Sequence, residues 1–491
     1  MVKRPLALIL TVALPLSACA VGPDYRPHAS AELGVPDAYS VPADQKARED
    51  LTKWWTRFDD PMLASLVERA QASNLDVAQA VTRLRQARES LIQSRASLLP
   101  GVSASGGYTR SEPLRGGSTT VTLPDGTVTS FSQGGSSNFS IGLDASYQAD
   151  IFGGVRRGVE SARAGYEASG FDYASVLISV EAETARNYVL ARLAQAQLAN
   201  ARDSLAIQDD NLQIAQWRLQ AGLVTSIDAE QARAQRAQTA ASIPSLEANY
   251  NGFVSRLGVL TGQAPGALKA EIEAVKPIPR GPADVATGIP AEALRQRPDI
   301  RAAERNLASA TAQIGVATAQ LYPSLSIGGS IDSGSSALSS IFDVITGRLF
   351  GNIAQTIFDA GRGRSQVRSA RAAADGAFLS YKSTVLTSLE DIENAVVALQ
   401  SARQREAEFR IALDAANNQA LLARMQYRSG LTDFTTLNQS ESQLLSAKNG
   451  LSQAQSDEAT ALIQLYQSLG GGWDSSITPQ APSAGSTANG H

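Results

Sequence analysis

From Gly154 to Ala221 the chain contains no proline. At about 1.5 Å per residue an unbroken helix of that length would extend on the order of 100 Å. Val155, Val159, Ala162, Tyr166, Tyr173, Leu177 and Val180 keep a heptad phase along it, as do Val385, Leu389, Ile392, Val396 and Leu399 further on. Such spacing predicts a coiled-coil seam. Helices this long cannot fold back into a small globule, so they must project and find partners along their length.

The second constraint is a duplication. "SNLDVAQAVTRLRQARESLIQSRASLLPGVSASG" and "QRPDIRAAERNLASATAQIGVATAQLYPSLSIGG" share one plan, each opening a helix at an Asp (Asp76, Asp299) and ending it at a Pro (Pro100, Pro323). "DIFGGVRRGVESARAGYEA" echoes "TIFDAGRGRSQVRSARAAA", and "QWRLQAGLVTSIDAEQARAQ" echoes "QYRSGLTDFTTLNQSESQ". The repeats are read as 61–262 and 291–473, joined by a proline-rich linker over 263–290. Residues 474–491, rich in Ser, Pro, Ala and Gly, are expected to be a disordered tail.

After each Pro the spacing changes from helix to strand. Val102, Ala104, Gly106 and Tyr108 alternate with small polar residues, and so do Phe139, Ile141, Leu143, Ala145 and Tyr147, and Leu325, Ile327, Gly329 and Ile331. Strands are expected at about 101–110, 139–149, 324–331 and 349–358, with loops over 109–138 and 332–348. Strands with one apolar and one polar face suit a membrane β-barrel with a polar lumen; two soluble hairpins packed on helices are the other reading. Four strands cannot close a barrel, whereas three chains giving four each make a 12-stranded one. The expected fold is therefore an α+β membrane protein, with four strands per chain in a trimeric β-barrel and long helices beyond it.

The N-terminus reads as targeting. Lys3 and Arg4 precede an apolar run, Leu6 to Leu16, too short to span a bilayer but suited to a secretory signal over residues 1–18. Leu16-Ser17-Ala18-Cys19 resembles a bacterial lipobox, which makes Cys19 the expected lipidation site at the head of an N-terminal tail, 19–60. Ala20 after the cysteine favours the outer membrane, by the same resemblance. Cys19 is the only cysteine, so no disulfide framework can form. Acidic and basic residues are interspersed around a net charge of −4, with no basic block to engage nucleic acid.

Catalytic chemistry finds no support. The only histidines are His28 and His491, both near chain ends, and no phosphate-binding or dinucleotide loop occurs. The carboxylates Glu181, Glu183, Asp391 and Glu393 are expected on solvated helix faces. The reading is of a passive, non-enzymatic conduit with no cofactor beyond a covalent lipid on Cys19.

"CAVGPDYRP" at 19–27, "WWTRFDDPMLASLVERA" at 54–70, "RQRPDIRAAERNLASATAQIGVATAQLYPSLSI" at 295–327, "FDAGRGR" at 358–364 and "LGGGW" at 469–473 together resemble the outer membrane factor family. These are the TolC-like channels, and within them the lipoproteins of the NodT and OprM type. The resemblance spans essentially the whole mature chain. It implies a homotrimer in the bacterial outer membrane whose 12-stranded β-barrel continues as a helical barrel into the periplasm. It also implies two partners, a periplasmic adaptor (membrane fusion protein) and an inner-membrane transporter, often of the RND class, which energises efflux and selects the cargo. The alternatives are the outer membrane duct of a protein-secretion system, or a structural periplasmic coiled-coil lipoprotein with no pore.

Two site readings follow. The breaks "AGLVTS" (221–226) and "SGLTDF" (429–434) end the longest helices and should be their periplasmic tips. Gly222 and Gly430 suit positive-φ helix ends, and Gly222, Leu223, Val224, Gly430, Leu431 and Thr432 are the candidate adaptor-docking residues. By the same resemblance, relatives often close the tip with an Asp ring, a Leu ring just below it and a nearby Arg. Counted from Gly430, those positions are Gln439, Thr435 and Ser442 here, with Leu437 keeping the pattern. Thr435 and Gln439 are therefore the candidate periplasmic gate, with Asp433 and Glu441 near enough to add pH sensitivity.

Overall fold

The computed structural model describes residues 20–41, 50–115, 118–132, 134–476 and 478–480. A 3-10 turn, Trp54–Phe58, leads into α1 (Pro61–Ser73) and α2 (Leu75–Ala96). Strands β1 (Gly101–Ser111), β2 (Ser118–Thr122), β3 (Val128–Ser132) and β4 (Ser136–Ala149) follow, then α3 (Gly154–Gln220) and α4 (Ser226–Leu260). The short helices α5 (Lys269–Ile272) and α6 (Pro290–Gln296) precede α7 (Pro298–Ala319), β5 (Ser324–Ser335) and β6 (Ile345–Ala354). Two last helices complete the chain, α8 (Arg362–Arg428) and α9 (Phe434–Ser468).

The duplication is visible in the element bounds. α2 and α7 each have 22 residues and start 223 positions apart. α3 and α8 each have 67, α4 and α9 each have 35, and both pairs are 208 apart. The offset changes between the strands because the connection from β1 to β4 is longer than that from β5 to β6. Glycines at positive φ recur at the same interval: Gly153 and Gly361, Gly222 and Gly430, Gly262 and Gly470.

Contacts divide the chain into two compact units. One holds residues 20–26, 87–166 and 306–377 among those described. Its sheet is antiparallel in the order β1-β4-β5-β6. Every residue of β1 and of β6 is exposed in the single chain, so both edges are open. Two strands begin where expected, at Gly101 and Ser324, and a third begins slightly early, at Ser136. β6 starts and ends about four residues before the expected 349–358, because its apolar alternation begins at Ile345. The loop expected over 109–138 contains a hairpin instead: β2 pairs with β3 from Ser118–Ser132 to Thr122–Val128. Thr and Val flank a Pro124-Asp125-Gly126 turn, with Gly126 at φ 83, which is a hairpin pattern.

In the same unit the first described residues are held firmly. Val21 N–H donates to Phe152 O at 3.1 Å, and the Arg157 side chain donates to Val21 O, Gly22 O and Asp24 Oδ1. Phe152 and Tyr322 stack with ring centroids 4.7 Å apart.

The other unit holds residues 27–86, 167–305 and 378–480 among those described. One of its buried clusters is aromatic. Trp54, Trp55, Phe58 and Tyr466 are buried, with Trp54 and Tyr466 centroids 5.6 Å apart. The seam expected along α8 is observed: Val385, Leu389, Ile392, Val396 and Leu399 are all buried. Along α3 the buried stripe falls mostly elsewhere. Ala164, Ala168, Phe171, Ala174, Ile178, Ala182, Ala185 and Val189 are buried; of the expected seam Val180 is buried, while Val155, Val159, Ala162, Tyr166, Tyr173 and Leu177 are half-buried. Alanine supplies five of those first eight buried positions, and small residues let neighbouring elements approach closely.

Asp76 stands in the first turn of α2, as expected, and the capping side chain is Asn74, whose Oδ1 accepts from Asp76 N and Val77 N. Two expectations need correction. Glu181 is not on a solvated face: it is fully buried, with Oε1 accepting from Gln71 Nε2 at 2.6 Å. Burial pushes its carboxyl well above the usual carboxylate range, against the downward pull of Gln71 and the Trp54 indole. Gly472, at φ 106, comes so near that a Cβ there would collide with Glu181 Oε2. The expected tail is also placed further than composition suggested. Ser475 O accepts from Arg301 Nη1, and Pro479 O lies 2.6 Å from where a Cβ on Gly170 would be.

Candidate functional site

The candidate site is the pair of turns that join α3 to α4 and α8 to α9. Each helix ends with the same pattern of bonds. Gly222 N–H donates to Leu219 O and Leu223 N–H to Arg218 O; Gly430 N–H donates to Tyr427 O and Leu431 N–H to Gln426 O. With φ at 69 and 75 for the two glycines, both are Schellman ends, whose geometry excludes a side chain with a Cβ at low cost. Such ends commonly tuck the residue after the glycine against the helix. Here Leu223 is 73% exposed and Leu431 79%, so neither is tucked. Val224 and Thr432 are half-buried.

Beneath the turns the two hairpins share one core. Ala215 and Ala232 from the first pack with Ala423, Tyr427, Phe434 and Leu437 from the second. Arg218 ties the pair: its Nη2 donates to Tyr427 O at 2.6 Å, and its guanidinium lies 4.4 Å from the Tyr427 ring centroid. Periodicity did not single out Arg218, because one more Arg in a polar last turn reads as solvated. Exposed Trp217 beside it was also missed, although a tryptophan in the last turn of a polar helix is a usable signal.

The N-termini of the following helices differ. Asp433 caps α9, its Oδ1 accepting from Thr436 N at 2.8 Å, and that backbone donor holds its carboxyl below the usual range. Thr225, its counterpart before α4, makes no such side-chain bond.

Thr435 and Gln439 are both exposed, one turn apart on α9 and opposite the face that buries Phe434 and Leu437. Ser442, a further turn along, is half-buried. Glu441 does not join them. It is 6% exposed and turned into its own hairpin, paired with Arg424 through both carboxylate oxygens, one at 2.7 Å. A carboxylate half a turn from the candidate gate thus faces the opposite way.

Cys19 lies outside the described residues, as do residues 1–18 and His491. Among the described residues, no group of three or more His, Cys, Asp and Glu could hold a metal ion. No described helix is long and apolar enough to cross a membrane. Most of the exposed apolar residues of the four-stranded sheet (Val102, Tyr108, Ile141, Leu143, Ile327, Ile331, Ile345, Leu349 and Ile353) instead share one face by their pairing, and Phe350, opposite Gly328, lies on the other.

The sequence matches the family model described as "Outer membrane efflux protein" over residues 66–263 and 289–471. It is 34% identical over 468 residues to nodulation protein T of Rhizobium leguminosarum bv. trifolii, covering 94% of this chain and 96% of that protein. It is 30% identical over 449 residues to the pyoverdine export outer membrane protein OpmQ of Pseudomonas putida, covering 90% and 93%. Among solved structures, the outer-membrane channel OprN superposes with a TM-score of 0.81 at 33% identity, over 93% of this chain and all of that one.

Proposed function

The chain belongs to the outer membrane efflux protein family, and from that premise we propose that it is the exit duct of a tripartite efflux assembly. It is an outer membrane efflux channel with no enzymatic activity. In the proposed assembly three copies each contribute the four strands of β1-β4-β5-β6 to a 12-stranded barrel, which α3, α4, α8 and α9 continue into the periplasm. Cys19 carries the lipid. The placement of Val21–Asp24 against Phe152 and Arg157, beside the end of β4, supports an anchor at the level where strand gives way to helix.

The adaptor meets the hairpin tips at Gly222, Leu223, Val224, Gly430, Leu431 and Thr432. Exposed leucines at both Schellman ends favour an apolar partner there. Thr435 and Gln439 line the resting constriction. An inner-membrane transporter, of the RND class, energises transport, and the efflux and export names of the relatives accord with outward movement.

The observation that carries this reading is the sheet. Four two-faced strands with both edges open cannot satisfy their backbone alone in a membrane, and closure by further copies removes every edge. The test is the purified protein in detergent: a trimer by light scattering, and discrete conductance in a planar bilayer. A monomer, or a trimer without conductance, refutes the duct.

A further inference from the structure

The polar face of the four-stranded sheet carries one exception. By the pairing, every side chain on that face is Gly, Ala, Ser, Thr, Asn, Gln, Asp or Arg, except Phe350. Phe350 stands on β6 at the end of a row that crosses the sheet as Gly101, Ser146, Gly328 and Phe350. The ring leans onto the next strand. A Cβ on Gly328 would lie 2.5 Å from Phe350 Cζ and 2.6 Å from Cε2, so the far end of the ring fills the place of the side chain that Gly328 lacks. Phe350 therefore lies along the sheet, and is still 57% exposed.

Covering a glycine does not by itself call for a ring. Gly107 and Gly142, on the same face, have serine hydroxyls 3.1 and 3.3 Å from their Cβ positions and no aromatic. Nor does the repeat require one. The ladders β1–β4 and β5–β6 start alike, at Gly101–Ser146 and Ser324–Ala354, so the pair Gly328–Phe350 corresponds to Ser105–Gly142 in the first half. An apolar ring held on a wet polar face gains free energy when an apolar ligand covers it.

The charges nearby say which ligand. The next row holds Asp144 and Arg348, and the row beyond it Asp332. Arg348 Nη2 donates to Asp332 Oδ2 at 3.0 Å, so that pair is neutral. Asp144 is exposed and makes no ion pair among the described residues. The face thus keeps the negative charge of Asp144, one row from the ring.

Resting on the duct reading, which makes this face the lumen wall, we propose that Phe350 is a cargo contact within the barrel and that the cargo it favours is a planar aromatic cation. The two rings stack, or the cargo's charge sits over the Phe350 ring, while Asp144 attracts the cation to this stretch of wall. The seat on Gly328 fixes the ring before cargo arrives, so little side-chain freedom is lost on contact. Because the ring lies along the wall, it retards one class of molecule without closing the duct.

The test is single-channel recording in a planar bilayer, with the probe added on the barrel side and block measured against each variant's own open current. N-methylacridinium, a planar cation, should block the wild type about tenfold more strongly than tetraethylammonium, which has the charge and no ring. Phe350→Leu keeps an apolar side chain over Gly328 and should weaken acridinium block by about fivefold or more. Phe350→Tyr keeps the ring and should block like the wild type, which separates lost contact from misfolding. Asp144→Asn should weaken the block by about twofold, through charge alone. Equal acridinium block in the wild type and Phe350→Leu, loss of block in Phe350→Tyr, or equal block by the two cations overturns the proposal and leaves the duct standing. A wild-type trimer without conductance overturns the duct reading, and the proposal with it.

Discussion

At the end of the first half the Leu260 carbonyl accepts from the side-chain amide of Asn74 at 2.9 Å; at the equivalent place in the second, Ser468 O accepts from Arg297 Nη1 at 2.9 Å. The intervals are those of the duplication, 208 between the carbonyls and 223 between the donors. Two residues past each carbonyl stands a positive-φ glycine, Gly262 or Gly470, packed against the backbone that precedes its donor, Ser73 or Gln296. Asn74 is neutral, buried, and also caps α2. Arg297 is held by Asp299 at 2.7 Å and Asp391 at 3.2 Å. Burial works against its charge, but the two carboxylates outweigh that and raise its pKa. A helix end leaves carbonyls that must find donors. The backbone geometry of that need is repeated in both halves, while the donor is free to be an amide in one and an ion-paired guanidinium in the other.

The tips carry the largest expected effect, because there the halves agree. Both present an exposed leucine after a positive-φ glycine, so if both dock a partner, both must be spoiled. Leu223→Asp with Leu431→Asp should abolish efflux in a complementation assay while leaving the trimer intact by light scattering. Either single variant should lose part of the activity. Full efflux from the double variant would remove the tips from the docking surface.

The helix-end donors come next, and they test whether different chemistry carries equal weight. Arg297→Ala removes a hydrogen bond to Ser468 O and leaves two half-exposed carboxylates without their cation, a loss of about 2–3 kcal/mol. Asn74→Ala removes one hydrogen bond and one helix cap, about 1–2 kcal/mol. Unfolding of the purified protein should rank the variants in that order. A larger loss at Asn74 would mean the ion pairs at Arg297 contribute little beyond the neutral bond.

A smaller effect should appear at Glu181, whose counterpart in the second half, 208 positions on, is the apolar Leu389. Its folded-state pKa is raised by burial, so between the ordinary carboxylate range and that raised value the folded chain binds more protons than the unfolded one. Stability therefore falls as pH rises through this window, and is fully present below it. Glu181→Gln keeps the shape without the charge. It should flatten the decline in unfolding temperature between pH 5 and 9, and an unchanged slope would place the titrating group elsewhere.

Much of this architecture could be read from the chain, and the reasons are local. Pro100, Pro323 and the paired glycines punctuate helices strongly enough to reveal the duplication, its intervals and the tips. What was hidden depends on neighbours distant in sequence. Glu181 looks like any helix-face carboxylate until Gly472 and Gln71 are brought against it. The buried stripe of α3 is alanine-rich, so the spacing of the larger apolar side chains caught only Val180 of it. Arg218 and Arg424 resembled solvated charges because their partners, Tyr427 O and Glu441, sit on another helix. The β2–β3 hairpin is a plainer miss, since its Asp-Gly turn and flanking β-branched residues were visible.

The smallest expected effect concerns the gate, where the second tip differs from relatives that use an Asp ring. If Thr435 and Gln439 line the constriction, three copies present hydroxyls and amides that can exchange neutral hydrogen bonds across the axis. Two carboxylates lie close enough in sequence to upset this, and both are otherwise engaged. Asp433 is held below the usual range by the Thr436 N–H, so it stays ionised from pH 5 to 8 and does not titrate within that span. Glu441 is buried against Arg424, on the side that faces its own hairpin. Resting conductance of the purified trimer in a planar bilayer should therefore change by less than about twofold between pH 5 and 8, and a trivalent cation should block it weakly, since block of this kind needs carboxylates near the axis. Gln439→Asp should install both responses, strong cation block and closure that loosens as pH rises, because three like charges then repel. Strong block in the wild type that persists in Gln439→Ala and vanishes in Glu441→Gln would show that the constriction is lined by the opposite face of α9.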